Sequence, residues 1–299
     1  MPSGVAIGGK SIEDAPRVRM RLSRLRQALG RVRRSGSVQV GLILSSIFIV
    51  LSVGAPLFTR LDPTDMDMMN ILRAPTESHI FGTDDFGRDL FSRVLYGGRI
   101  SIVVGLVVAG ITTLTGVTIG VLAGYYRRLD NPIMRVMDIL MAFPTILLAI
   151  GIMAVLGPQL INIIIALVFP YTPVTARVVR GSVLSLREQE FVEAARSIGA
   201  RDLRIILRHL LPNCLAPLLV QQTVIIAYAI LAESGLSFLG VGVPPEVPTL
   251  GSILSDSRVF LRNAPWMSIF PGLSISLLVL GFNLLGDGLR DVLDPRLKL

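Results

Sequence analysis

A single cysteine, Cys214, and two histidines, His79 and His209, are spread over 299 residues. One thiol excludes a disulfide framework and a cysteine-rich metal site. Charge is scarce as well, at 17% Asp, Glu, Lys and Arg, where soluble domains carry about 25%. The formal balance of +8 comes without the aromatic or groove-fitting basic domain that nucleic-acid recognition needs, so no nucleic-acid partner is expected. Apolar residues take the vacated share, at 52%.

Those apolar residues fall in blocks of span length. Six are read: about Val38–Phe58, Ile100–Tyr125, Ile133–Leu156, Leu160–Val179, Asn213–Gly235 and Trp266–Leu289. Each can cross a ~30 Å hydrocarbon layer as a helix. The third and fourth are joined tightly at Gly157–Pro158, which leaves a five-span reading open. A helical core of a soluble protein would need shorter helices with polar faces. The expected fold class is therefore all-α, a polytopic membrane protein with about six transmembrane helices. With six spans, one side holds 22 of the 29 basic residues. By the positive-inside rule both termini face the cytoplasm. The expected organisation is a basic leader (1–37), a first span with an outer loop (38–98), a core (99–289) containing a cytoplasmic loop (180–212), and a tail (290–299). In the leader, Val18, Leu22, Leu25, Leu29 and Val32 form a stripe among arginines. That pattern suits either a helix on the membrane lipid surface or a charged tail that fixes topology.

The leader also contains GVAIGGKS, Gly4–Ser11, a match to the phosphate-cradling loop of many ATPases. A working loop needs a strand ending at its first glycine and a helix opening at its lysine. Three residues precede Gly4, and Pro16 follows closely, so there is no room for the strand. ATP is not expected to bind there.

The loop between the fourth and fifth spans reads EFVEAARSIGARDLRIILRHLLPN, Glu190 to Asn213. Phe191, Ala194, Ala195 and Ile198 share one face of a short helix, and Gly199 supplies a permissive turn. Leu203, Ile206, Leu207, Leu210 and Leu211 then recur at helical spacing. Two short amphipathic helices across a glycine turn read as a docking element for a cytoplasmic partner, or as a loop packing on its own bundle.

This segment resembles the "EAA" loop of permease subunits in binding-protein-dependent ABC importers, E-A-A-x3-G-x9-I-x-L-P. Glu193, Ala194, Ala195, Gly199, Leu211 and Pro212 fill the matching positions, and His209 stands where the pattern has Ile, as is usual in the peptide branch. HIFGTDDFGRDLFSRVLYGGRIS (79–101), AESGLSFLGVGVPP (232–245) and LLGDGLRDVLDPRLK (284–298) are similar to the C-type permease subunit of dipeptide and oligopeptide importers. The resemblance implies a type I ABC importer permease fold in a bacterial or archaeal cytoplasmic membrane. It implies as partners a homologous second permease subunit, two ATPase subunits and an extracytoplasmic solute-binding protein. ATP and Mg would be bound by the ATPase subunits, with no cofactor and no catalytic residue in this chain. Short peptides are the expected substrate, with nickel complexes or glutathione as alternatives. An ion- or proton-driven secondary transporter is the rival mechanism, and a membrane scaffold without transport is another.

Remaining polar residues are weighed against that frame. His79 and His209 fall on opposite sides of the membrane and cannot share a site. The aspartates of the outer loop, Asp62, Asp65, Asp67, Asp84, Asp85 and Asp89, fit no standard calcium loop and read as solvated turns. Asn162, Gln221, Gln222, Glu233 and Asn283 lie within spans, and Asp138 is expected within the third. Such groups should face the bundle or a wet cavity. They join helices or line a translocation path, and Gln222 and Glu233 are the choices for the path. Pro144, Pro170, Pro173, Pro217 and Pro271 would kink their spans.

Overall fold

The computed structural model describes residues 35–244 and 247–293. The leader stripe, the Gly4–Ser11 match and the end of the tail lie outside the described residues. Helices run α1 (Gly36–Val53), α2 (Leu90–Tyr125), α3 (Arg127–Met141), α4 (Thr145–Leu156), α5 (Leu160–Arg187), α6 (Glu190–Ser197), α7 (Asp202–Phe238), α8 (Leu250–Asp256) and α9 (Trp266–Leu293). Apart from one isolated bridge, Thr83 to Asp89, the regular structure of the described residues is helical.

Five of these helices, α1, α2, α5, α7 and α9, are long and apolar enough to span a membrane. The expected third span is instead two helices, α3 and α4, that meet at an angle of 87°. Of the five prolines expected to kink spans, Pro144 is the one at this break. It caps α4, in extended conformation, while Pro170, Pro173, Pro217 and Pro271 sit inside continuous helices. Asp138 accordingly lies on α3, half exposed and paired with Arg177 at 2.8 Å, and not within a continuous spanning helix.

The long helices pack through small residues. Gly116, Gly120 and Gly124 line one edge of α2, and a Cβ on Gly120 would stand 2.6 Å from the Ala176 carbonyl oxygen and 2.8 Å from Val179 Cβ on α5. In lipid no hydrophobic force draws helices together, so such close backbone approach supplies the dispersion contact that does. The interior contains hydroxyl groups as well as apolar side chains. Ser45, Ser52, Ser101, Thr112, Thr175, Thr223 and Ser237 are buried, while Leu42, Ile47, Leu114, Leu219 and Leu273 are exposed. Most of these hydroxyls bond to backbone carbonyls or to other side chains inside, as Ser45, Ser101 and Thr223 do, while alkyl chains face outward, as a hydrocarbon solvent demands.

Three apolar clusters stack along the bundle. Residues of α1, α2, α8 and α9, with Leu90, Leu250 and Met267, pack one end. Val104, Val108, Leu167, Ile225 and Leu236 fill the middle. Val121, Val179, Val183, Val192, Ile205 and Leu218 pack the end that carries α6.

Candidate coupling loop and membrane-buried polar residues

At the α6 end the chain leaves α5, forms α6, turns at Gly199 and enters α7. Gly199 has φ +78°, a conformation costly for any residue with a Cβ. Its N–H donates to the Arg196 carbonyl at 2.9 Å, and that of Ala200 to Ala195 at 3.0 Å, which satisfies two of the last carbonyls of α6. Val192 and Ala195 point into the bundle beside Ile205 and Leu210. Ala194 points outward, so the alanine pair divides between two faces. Glu193 is exposed near the start of α6, where a carboxylate favours the helix dipole.

The loop is fastened to the bundle at several points. The Tyr125 hydroxyl donates to Asp202 Oδ1 at 2.7 Å, and Arg187 Nη1 donates to the Gly124 carbonyl at 2.7 Å. The Arg196 guanidinium lies 5.5 Å from the Tyr125 ring centre. Within α7, residues Ile206–Leu210 widen into a π-helical turn, so that Leu211 N–H reaches back to the Ile206 carbonyl. Pro212, exposed, has no N–H to offer this ladder. The Asn213 side-chain amide donates to the His209 carbonyl at 2.6 Å and satisfies it. Leu211 packs against the cluster below. Above this anchored base stands an apolar surface: Ile198 is 85% exposed, Leu203 67% and Leu207 55%, with Phe191 beside them.

The two residues chosen for a path, Gln222 and Glu233, both make contacts between helices of this chain. Glu233 is fully buried. Ser101 Oγ donates to its Oε2 at 2.7 Å and Ser237 Oγ to its Oε1 at 3.0 Å, so it joins α2 to α7. Gln222 Nε2 donates to Thr175 Oγ1 at 3.3 Å, and Thr112 Oγ1 lies 3.5 Å from its Oε1. Both side chains fasten helices: Glu233 ties α7 to α2, and Gln222 ties α7 to α5. The neighbouring Gln221 faces elsewhere, into a groove of about 410 Å³ with Tyr171, Val174, Tyr228 and Leu231. Helical register separates the two glutamines by about 100°, and the sequence marks both equally. Asn162 caps the end of α4, donating to the Leu156 and Gly157 carbonyls at 2.8 and 3.0 Å.

At the opposite end, residues 59–89 form a folded clamp. Asp84 and Asp89 are buried, contrary to the expectation of solvated turns. Asp89 caps α2 by accepting from Ser92 N–H at 2.8 Å, and His79 Nδ1 lies 2.9 Å from it. Asp84 accepts from the Arg88 guanidinium at 2.6 Å and from the Phe86 and Arg88 N–H groups at 2.9 Å each. Arg93, 2% exposed, reaches from α2 to within 3.3 Å of Asp84 and 3.8 Å of Asp256 on α8. Trp266 Nε1 donates to the Thr83 carbonyl at 3.1 Å. Burial pushes the Asp85 carboxyl above the usual range, with Asp84 adding to the rise and Arg88 opposing it. Burial likewise raises Asp256, against the pull of Arg93. Asp62 and Asp67 do occupy exposed turns, accepting from Thr64 and Met69.

Residues 116–299 match the family described as the binding-protein-dependent transport system inner membrane component. A putative peptide transport system permease protein of Brucella abortus is 53% identical over 269 residues, covering 90% of this chain and 91% of that relative. The dipeptide transport system permease protein of Alkalihalophilus pseudofirmus is 47% identical over 274 residues, covering 91% and 90%. Among solved structures, an inward-facing MetNI methionine ABC transporter superposes with a TM-score of 0.56 at 22% identity, over 67% of this chain and 95% of that one. At that identity the likeness concerns the fold.

Proposed function

The chain belongs to the family of binding-protein-dependent transport system inner membrane components, and from that premise we infer that it is the permease subunit of an ATP-driven importer, forming half of the translocation path for short peptides. Relatives named for peptide and dipeptide transport support that substrate class. ATP and Mg bind partner ATPase subunits, and this chain performs no chemistry of its own. A homologous permease completes the path, and an extracytoplasmic solute-binding protein delivers the substrate. The uneven distribution of arginine and lysine supports placing both termini in the cytoplasm.

The observation that carries the reading is the anchored α6 loop with its outward apolar surface. Closure of the ATPase pair on ATP pushes α6, and the contacts of Val192, Ala195, Ile205 and Leu210 transmit the push to α2, α5 and α7. The spans then open outward, accept substrate, and return after hydrolysis. Ala194 lets the ATPase surface approach, Glu193 favours the helix, Gly199 permits the turn, and Leu211 with Pro212 sets the entry into α7. Gln222 and Glu233 hold the helices whose groove, lined by Gln221 and Tyr228, faces the path. A secondary transporter is expected to carry broken helices in matching halves. Among the described residues one bent pair exists, α3 with α4, without a counterpart.

The test is Gly199→Val in the assembled complex. At φ +78° a β-branched residue costs at least about 1–2 kcal/mol, so the loop rearranges while the spans persist. Membrane abundance should stay near wild type, with peptide uptake lost and ATP hydrolysis no longer stimulated by loaded binding protein. Normal uptake by the variant would refute coupling through this loop.

A further inference from the structure

Where α3 meets the inner end of α5 there is a cavity of about 660 Å³, lined by Asn131, Met134, Arg135, Asp138, Arg177 and Arg180. Its charges are uneven. Arg177 pairs with Asp138 at 2.8 Å and Arg180 with Asp130 at 2.7 Å. Arg135 lines the same cavity, and among the described residues no carboxylate pairs with it or with Arg128 nearby. Three guanidiniums thus face two carboxylates.

The orientation of α3 adds an independent observation. It stands at 87° to α4, and α4 packs alongside the spanning helix α5. A helix perpendicular to a span lies in the plane of the membrane surface. Met137 is the buried residue of α3. Leu129, Val136 and Ile139 are 42%, 54% and 61% exposed, and Arg128, Asn131, Arg135 and Asp138 occupy the flank beside them. Cations and bare alkyl chains on adjoining flanks of an in-plane helix are the pattern of an interfacial helix.

We propose that this cavity, with the adjoining apolar flank of α3, binds an anionic phospholipid of the leaflet it faces, its phosphate between Arg135 and Arg177 and its acyl chains along Leu129 and Val136. A free anion gains little there, since Asp130 and Asp138 already offset two of the three arginines. The apolar flank supplies the remaining attraction, and that selects a lipid over soluble phosphate. Cationic pockets beside spans hold acidic headgroups through the same combination of terms. The proposal rests on the membrane placement of the spans and is independent of the transported substrate.

The test uses the assembled complex carrying Val136→Trp, in phosphatidylcholine nanodiscs containing either brominated phosphatidylglycerol or brominated phosphatidylcholine over matched series of lipid fractions. Fluorescence of the unsubstituted complex supplies the Trp266 background. Brominated phosphatidylglycerol should quench the introduced indole at several-fold lower lipid fraction. Adding Arg135→Gln should cut that preference roughly fivefold, the effect of one arginine near an anionic surface. Equal quenching by both lipids would overturn the proposal, and so would a preference that Arg135→Gln leaves intact. Absence of quenching by either lipid would also overturn it, by showing that a protein surface covers the flank. ATP hydrolysis measured on the same preparations reports separately on assembly and the transport reading.

Discussion

Arg93 is 2% exposed, and its Nε makes no aligned hydrogen bond although Asp84 lies 3.3 Å away. A buried guanidinium in this position needs its carboxylates, and those carboxylates are not equivalent. Asp84 satisfies two backbone N–H groups as well as Arg88, so its removal leaves several donors unpaired. Asp85 has a buried Oδ1 that accepts no hydrogen bond, and burial together with Asp84 holds its pKa up. A raised carboxyl opposes folding at pH values above its folded pKa, and this cost disappears as the acid protonates. Asp85→Asn should therefore raise the thermal midpoint of the purified protein at pH 7, or at worst leave it unchanged. The gap from wild type should close as the pH falls through the raised Asp85 range. Asp84→Asn should lower the midpoint at pH 7. Midpoints measured across pH 4–8 decide this, and a destabilised Asp85→Asn at pH 7 would show that its contact with Arg88, 3.6 Å away, outweighs the cost of its burial.

Between α2 and α5 the determining feature is a missing side chain repeated every fourth residue. A Cβ on Gly120 would meet backbone and Cβ atoms of α5 at under 3 Å, whereas one on Gly110 of the same helix would meet nothing within 4 Å. Gly120→Val should thus cost about 1–3 kcal/mol through overpacking, seen as a lower thermal midpoint in detergent. Gly110→Ala should be neutral or gain up to about 1 kcal/mol from helix propensity. Equal responses at the two sites would mean that the close approach carries no weight. The spanning helices themselves were legible from sequence, because about 20 uninterrupted apolar residues leave the backbone no alternative in lipid. The elbow between α3 and α4 was not. Met141, Ala142 and Phe143 keep the hydropathy high across the break, and a window average cannot distinguish one straight span from two shorter helices joined at an elbow. The α6 loop was legible as two helices about a glycine, since its period and its turn residue agree. Which alanine faces outward was less so, because an eight-residue helix allows small rotations that apolar spacing does not resolve. The burial of Asp84 and Asp89 needed the fold, since it depends on packing of the loop against α2 and α8, where Arg93 comes within 3.3 Å of Asp84.

For the whole molecule, the question is which face meets the cytoplasm, and two features bear on it from opposite ends. The α6 end carries the exposed apolar surface of the loop and the arginines of α3, α5 and the loop. The other end carries the clamp of residues 59–89, held by Arg93, Asp89 and Trp266 against α2, α8 and α9. Basic residues near the ends of spans resist translocation, so the α6 end is expected inside, where ATPase subunits can reach it. Met69 is 91% exposed on the clamp, and Ile198 is 85% exposed at the tip of the loop. The native thiol, Cys214, is 2% exposed, so it contributes little background to labelling. With Met69→Cys, a membrane-impermeant maleimide should label intact cells. With Ile198→Cys, labelling should require opened membranes, and assembly with the ATPase subunits should then block it. The reverse pattern would invert the topology and take the docking loop away from ATP. Labelling at residue 198 that assembly leaves unchanged would keep the topology and move the ATPase contact to another surface.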